Sequence, residues 1–324
     1  MKDNGKIQPL SLSGVETYSL KERPCKVSQA DFAQPWQAGG SLTDFVARLP
    51  RILAAAQLQE IARTWSQARR QGHLVLLGLG AHVLKVGLSP LLLDLMHHGL
   101  LSGLALNGAG IIHDAEIAMV GRTSEEVEEV LGAGQFGMAA ETATFLNEAI
   151  RWGAAQGLGL GEAVGQCLLE AKFPYNHQSI LAGAVARRIP LTVHVAVGTD
   201  IIHMHPSVDA AALGLTTHHD FRLLAGLVSR LSHGVYLNLG SAVILPEVFL
   251  KAISLARNLG FPVDHLTTVN LDFIQHYRPL TNVVRRPTQG VGRGYALTGH
   301  HEILFPLLAA MVIEEWEEAA GARG

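Results

Sequence analysis

The feature that most narrows the fold is an alternation of short apolar runs ending on glycine or a small polar residue with stretches of helical spacing. "HLVLLGLG" (73–80) reads as a buried strand. "SPLLLDLMHHG" (89–99) has helix length, with Pro90 near its start and Gly99 at its end. "LLSGLALNG" (100–108) is the next strand. Strand, helix and strand within about 35 residues is the spacing of a crossover between parallel strands. The pattern continues through the helix "SILAGAVARR" and the β-branched strand "IPLTVHVAVGTD" (189–200). It goes on with the helix "HHDFRLLAGLVSRLSHG", the strand "VYLNLGSAV", the helix "PEVFLKAISLARNLG" and the strand "VDHLTTVNLDF" (263–273). Residues 274–299 read as a basic loop, and "HHEILFPLLAAMVIEEW" as a helix or docking segment. Ser41 with Asp44, and Thr123 with Glu126, have capping-box spacing at two further helix starts. The expected fold is α/β: a Rossmann-like, mostly parallel sheet with helices on both faces, forming one domain over 41–324 behind a polar extension, 1–40.

Composition removes several functions. The 324 residues are 48% hydrophobic and carry a formal charge of −3, which leaves no nucleic-acid footprint. Two cysteines, Cys25 and Cys167, fit a reducing compartment rather than a disulfide scaffold, so a cytoplasmic location is expected. The N-terminal stretch has no signal-peptide core, and no run approaches about 18 apolar residues, so no membrane association is expected. Sixteen histidines are an excess.

In parallel sheets ligands bind beyond the carboxyl ends of the strands. His113, Asp114, Asp200, His203, His205, Asn270 and the 274–299 segment all follow expected strands and could share one mouth. "NGAGIIHDAE" places His113, Asp114 and Glu116 just after a glycine turn, where they could act as acid–base groups or hold a cation. Asp114 could equally cap a helix. "GLGAHV" (78–83) sits correctly for a dinucleotide turn but lacks the third glycine; "GAGQFG" (132–137) has all three but follows a helix. "HMH" (203–205), if extended, puts two imidazoles on one face, a partial metal site. The doublets His97–His98, His218–His219 and His300–His301 are weaker, because neighbours on a helix point apart. Arg278, Arg285, Arg286 and Arg293 make the last loop basic and suited to a carboxylate or phosphate.

Over most of residues 74–310 the order of these segments resembles the deoxyhypusine synthase family. "LGLGAHVLKVGLSPLLLDLMHHGLLSGLALNGAGIIHD", "SILAGAVARRIPLTVHVAVGTDIIHM", "VILPEVFLKAISLARNLG" and "FPLLAA" carry the likeness, with Lys251 falling on a motif lysine. The resemblance implies an NAD-dependent transferase that moves an aminobutyl group of spermidine, built as a homotetramer with sites between subunits. Several functional residues differ: the family's Trp-Gly-Lys falls on Arg285, Arg286 and Pro287, which removes the covalent lysine. Its polyamine-binding aspartate falls on His203 or His205, its first motif histidine on Ala252, and its ribose-binding aspartate on His300. "NGAGIIHDAEIAMVGRTSE" also resembles the NAD-binding domain of LOR/SDH-type proteins, including ornithine cyclodeaminases.

These readings together lead to an NAD-binding enzyme with an altered, histidine-rich and more cationic mouth, acting on a small anionic substrate. Gly78, Gly80, Asn107, Gly108, Gly110, Asp200, Asn270 and His300 are expected at the cofactor. His113, Asp114, His203, His205 and Lys251 are expected in catalysis, and Glu116, Arg278 and Arg285 at the substrate. Two alternatives stay open: a Zn or Fe hydrolase or lyase using His113, His203, His205 and His300, and aminobutyl transfer through Lys251. A homo-oligomer, dimer or tetramer, is expected.

Overall fold

The computed structural model describes residues 7–321; residues 1–6 of the extension and 322–324 lie outside the described residues. Residues 7–40 hold one short 3-10 turn, Gln29–Asp31, and are largely exposed. The chain then runs α1 (Leu42–Ala47), α2 (Leu53–Arg70), β1 (Val75–Leu79), α3 (His82–Lys85), α4 (Ser89–His97), β2 (Gly103–Asn107), α5 (Gly108–Val120) and α6 (Val127–Val130). It continues α7 (Ala140–Gln156), α8 (Leu160–Glu170), α9 (Ile180–Ala186), β3 (Leu191–His194), α10 (Ala210–Val228), β4 (Val235–Leu239) and α11 (Ile244–Asn258). It ends β5 (Thr267–Asp272), α12 (Tyr277–Pro279), β6 (Arg293–Thr298) and α13 (His301–Gly321).

The strands form one six-stranded sheet in the order β3-β2-β1-β4-β5-β6, every neighbouring pair parallel. The period-2 geometry of a strand divides its side chains between two cores. Val75, Leu77, Leu79, Val235, Leu237 and Leu239 pack on one side with residues of α2, α4, α5 and α13. Leu76 and Tyr236 point the other way, into Leu224, Val228, Phe249 and Ile253 of α10 and α11. Burial on both faces is why these strands read as continuous apolar runs. Trp65 of α2 is fully buried and its indole N–H donates to the Leu100 carbonyl at 2.8 Å, tying that helix to the approach to β2.

Most elements lie where the pattern puts them, including the Ser41–Asp44 capping box on α1. Four expectations are corrected. Residues 274–299 are not a loop: they hold α12, a π-helical turn over Leu280–Arg285, and β6. β6 is an edge strand with only Tyr295 and Leu297 buried, too little alternation to show in sequence. The strand at 263–273 begins at Thr267, because Val263 and His265 take positive φ. β3 stops at His194, and Ile201–His203 is a 3-10 turn, so "HMH" is not extended. Thr123 and Glu126 make no capping box: Glu126 precedes α6 with no side-chain cap bond, and the Thr123 hydroxyl is used elsewhere.

The strand order reverses between β1 and β4. There the Gly80 N–H donates to the Leu239 carbonyl at 2.8 Å, and a Cβ on Gly80 would lie 2.0 Å from the Gly240 carbonyl oxygen. Backbone cannot retreat as a flexible side chain can, so G80A must push the two turns apart. We expect G80A to lose about 1–3 kcal/mol of unfolding free energy, read from urea melts.

Candidate functional site

α5 starts directly from β2. The Asn107 side chain caps it, accepting from the Gly110 N–H at 3.1 Å, so Gly108–Gly110 form the first helical turn rather than an open loop. His113, Asp114 and Glu116 are therefore helical, and the 100° step per residue separates them. Asp114 faces inward and is fully buried. It accepts from the Ser179 hydroxyl at 2.5 Å and from the Ile180 and Leu181 N–H groups at 2.8 and 3.3 Å. Asp114 thus holds the start of α9 from within α5, while the N-cap residues of these two helices are Asn107 and Ser179. Burial pushes its pKa up to about 6, against the pull of these donors.

His113 and Glu116, three residues apart, share the other face and meet at Thr123. Thr123 donates its hydroxyl hydrogen to Glu116, and Thr142 donates to the same carboxylate at 3.2 Å. The Thr123 hydroxyl has one hydrogen, already committed, so at 2.6 Å the His113 Nδ1 must be the donor. That fixes the tautomer and leaves the His113 Nε2 lone pair free. Desolvation, with Lys85 adding to it, lowers the His113 pKa to about 4, so the ring is neutral at pH 7.

His113 borders a cleft in two connected parts that share Glu116, Ser124 and Glu125. The inner part, about 210 Å³, is lined by Lys85, His113, Phe136 and Asp200; the outer, about 680 Å³, by Arg122, Glu141, Phe145 and Phe173. Four carboxylates (Glu116, Glu125, Glu141, Asp200) face two cations (Lys85, Arg122). The cleft is apolar at its outer end and net acidic, which reverses the cationic mouth expected from sequence.

The expected cations lie elsewhere. Lys251 and Arg278 both pair with Glu247, an α11 residue, and are exposed; Arg285 is exposed on the π-helical turn. The histidines also fail to converge. His203 Nδ1 accepts from the Gly198 N–H at 3.1 Å, whereas His205 Nδ1 bonds the Ser207 hydroxyl at 2.7 Å. His300 is exposed and lies parallel to the Phe273 ring, centroids 6.2 Å apart. Among the described residues no three His, Cys, Asp or Glu side chains are grouped to hold a metal.

The glycines expected at a dinucleotide have local duties. Gly78 leaves room for the Tyr236 hydroxyl, 2.3 Å from a Cβ built there, and Gly110 sits against Leu106. Asn270 is buried between the amides of Asn238 and Gln275 at 2.7 and 2.8 Å. At Gly108, a Cβ would lie 2.0 Å from the Asp200 carboxylate. Asp200 is buried, its pKa raised to about 6 by desolvation. An acid thus already occupies the positive end of α5, where a dinucleotide phosphate would otherwise sit. A pyrophosphate does not fit there beside Asp200.

Sequence reasoning missed Lys85, Thr123, Thr142 and the two phenylalanines, which come from four separate segments. It also missed His82, His301 and Asp272, which meet at the β1/β4 reversal. The His82 and His301 Nδ1 atoms are 2.9 Å apart, and the His301 Nε2 is 3.5 Å from Asp272. Their sequence signals were slight: His82 follows the strand at 73–80, Asp272 lies near the end of the strand at 263–273, and His301 belongs to a histidine doublet.

No protein-family model and no curated protein matches the chain. Solved structures do match in fold. A candidate deoxyhypusine synthase from Entamoeba histolytica is 11% identical with a TM-score of 0.52, covering 87% of this chain and 96% of that one. A candidate LOR/SDH protein from Methanococcus maripaludis S2 is 14% identical, TM-score 0.51, covering 83% and 71%. Unliganded AgrE is 15% identical, TM-score 0.51, covering 84% of this chain and 34% of its own, so the chain spans about a third of that protein. The architecture is α/β and deoxyhypusine-synthase-like. Among the described residues no helix is long and apolar enough to cross a membrane.

A folded-state His113 pKa below the unfolded value means that the folded chain binds this proton less tightly. Its contribution to stability is whole above about pH 6.5 and is lost as pH falls toward about 4. H113Q should therefore lack that part of the acid destabilisation. Denaturant melts of both proteins from pH 7 to pH 4 should show their stabilities drawing together, or crossing, on acidification.

Proposed function

We propose that the protein is a small-molecule enzyme of the NAD-type α/β class whose substrate carries an amine on a short apolar stem. The observation behind this reading is the lining of the cleft: Glu116, Glu125 and Glu141 surround the outer part walled by Phe145 and Phe173, and Asp200 adds a carboxylate in the inner part. An ammonium gains from carboxylates that an anion would have to overcome, and the part-enclosed setting strengthens the effect. Glu116 is held by two threonine hydroxyls and so presents its charge in one orientation. The neutral His113 offers Nε2 as a hydrogen-bond acceptor to a substrate N–H.

NAD is the cofactor that this fold class brings. The α5 turn is closed to its pyrophosphate by Asp200, which leaves the β1/β4 crevice, where sheets of this strand order take dinucleotides. The chemistry derived from the site runs through this chain's residues alone. Aminobutyl transfer through Lys251 has little support, because that lysine is ion-paired with Glu247 in the open, without the burial that activates a Schiff-base amine. A dimer or tetramer goes with the reading, supported by Leu10, Leu12, Tyr18 and Phe32 of the N-terminal segment, all exposed.

Calorimetry with 1,4-diaminobutane, L-arginine, succinate and NAD⁺ tests the reading. The amines should bind more tightly than succinate, and E116Q should weaken them about tenfold, or about 1.4 kcal/mol. Tighter binding of succinate than of either amine would overturn the substrate class. NAD⁺ binding in a G108A protein as in the wild type would locate the cofactor away from α5.

A further inference from the structure

The reversal point of the sheet holds a second constellation, separate from the cleft residues. His82 opens α3 after β1, Asp272 ends β5, and His301 opens α13 after β6. His301 is fully buried, with Gly240 closing over its ring: a Cβ on that glycine would lie 2.8 Å from His301 Cε1. Phe273 contacts both imidazoles, its centroid 5.6 Å from each. Asp272 is also buried.

The hydrogen positions follow from the neighbours. Two Nδ1 atoms 2.9 Å apart need one hydrogen between them. If His301 supplied it, its Nε2 would be a bare lone pair, buried without a partner and turned toward a carboxylate 3.5 Å away. Two electron-rich atoms facing each other in a dry site repel, so that tautomer is disfavoured. In the other arrangement His301 carries its hydrogen on Nε2, toward Asp272, and accepts at Nδ1 from the His82 Nδ1–H. His82, only partly buried, then keeps the Nε2 lone pair. The order is carboxylate, buried imidazole, accessible imidazole.

We propose that His82, aligned by His301 and Asp272, is a general acid–base centre in the β1/β4 crevice. It would act on a small molecule presenting a hydroxyl or ammonium proton beside Phe273. In the forward step the substrate O–H or N–H bond breaks, its electron pair stays on the substrate, and the proton forms a new bond to His82 Nε2. No redox partner is needed, and return of the proton restores the centre. The charge gained by His82 is balanced through the His301 bridge by Asp272. The other charged or titratable neighbours are Lys85 on the same helix and His300 and Glu302 beside His301. Burial lowers the His301 pKa, with Asp272 opposing it, which keeps the bridging ring neutral. Desolvation of this kind suits a group that relays polarity without titrating itself. His301 and Asp272 are positioning residues; His82 alone would touch the substrate.

The test uses the intact protein. Imidazole ¹⁵N spectra should show His301 as the Nε2–H tautomer. The rate at which diethyl pyrocarbonate modifies His82, followed by peptide mass spectrometry against pH, reports its proton affinity without knowledge of the substrate. D272N should shift that profile toward lower pH, because the acid that offsets the charge on His82 through His301 is gone. E302Q, which leaves the chain intact, should shift it less. An Nδ1–H tautomer at His301, or a His82 profile that D272N leaves in place while circular dichroism shows a folded protein, would overturn the proposal. These readouts do not involve the amine cleft, so their failure leaves the amine reading of that cleft in place, and failure of amine binding leaves this one.

Discussion

The parallel pairing of β1 with β4 is the constraint on which the rest of the architecture depends. It joins two halves of the sheet that run outward in opposite order, and it succeeds because glycine occupies the positions where they meet. Gly78 admits the Tyr236 hydroxyl, and Gly80 lets its backbone lie against that of Gly240. Tyr236 in turn stacks on Phe249, ring centroids 3.7 Å apart, which seats α11 on the sheet. With β1 and β4 in register, the ends of β1, β5 and β6 bring His82, Asp272 and His301 together from far-apart segments.

Burying that sheet on both faces leaves polar groups at helix ends that must find partners inside the protein, and aspartates supply them. Asp114 receives the start of α9, and Asp220 accepts from the Gly161 and Val193 N–H groups at 2.8 and 2.7 Å, joining α8 to β3. Burial raises the Asp220 pKa to about 7. Asp200 lies at the start of α5. Such acids resemble catalytic groups in a sequence, since both roles favour a carboxylate beside a helix start. Here the number of donors around Asp114 assigns it to construction. The cleft residues differ: Glu116 and His113 are polarised by one threonine yet keep an accessible face.

How far the site could be read beforehand follows from the range of each interaction. The turn at Asn107–Gly110 and the placing of His113 and Glu116 just beyond it were visible, because cap and side chains lie within ten residues. Thr123 carried a different signal, a capping-box spacing with Glu126, and its hydroxyl went to a nearer, more buried carboxylate. Lys251, Arg278 and Arg285 drew attention as cations near a motif or a glycine-rich segment. Their true environment depends on Glu247 and on the path of α12, neither of which a linear pattern contains. The strand β6 was hidden for a related reason: an edge strand exposed on half its positions lacks the apolar run that marks a buried one.

What this sequence determined by itself is its alternation of strands and helices and the resulting doubly covered parallel sheet. Periodicity and turn residues act within about a dozen residues, and they encode burial directly. Tertiary structure alone decided which side chains share a site and which charges prevail there. The acidic character of the cleft, the carboxylate against Gly108 and the His82–His301–Asp272 chain each require segments between about 90 and 220 residues apart to meet. The order in which strands pair brings them together, and strand order is a property of the packed sheet, absent from any one stretch of the chain.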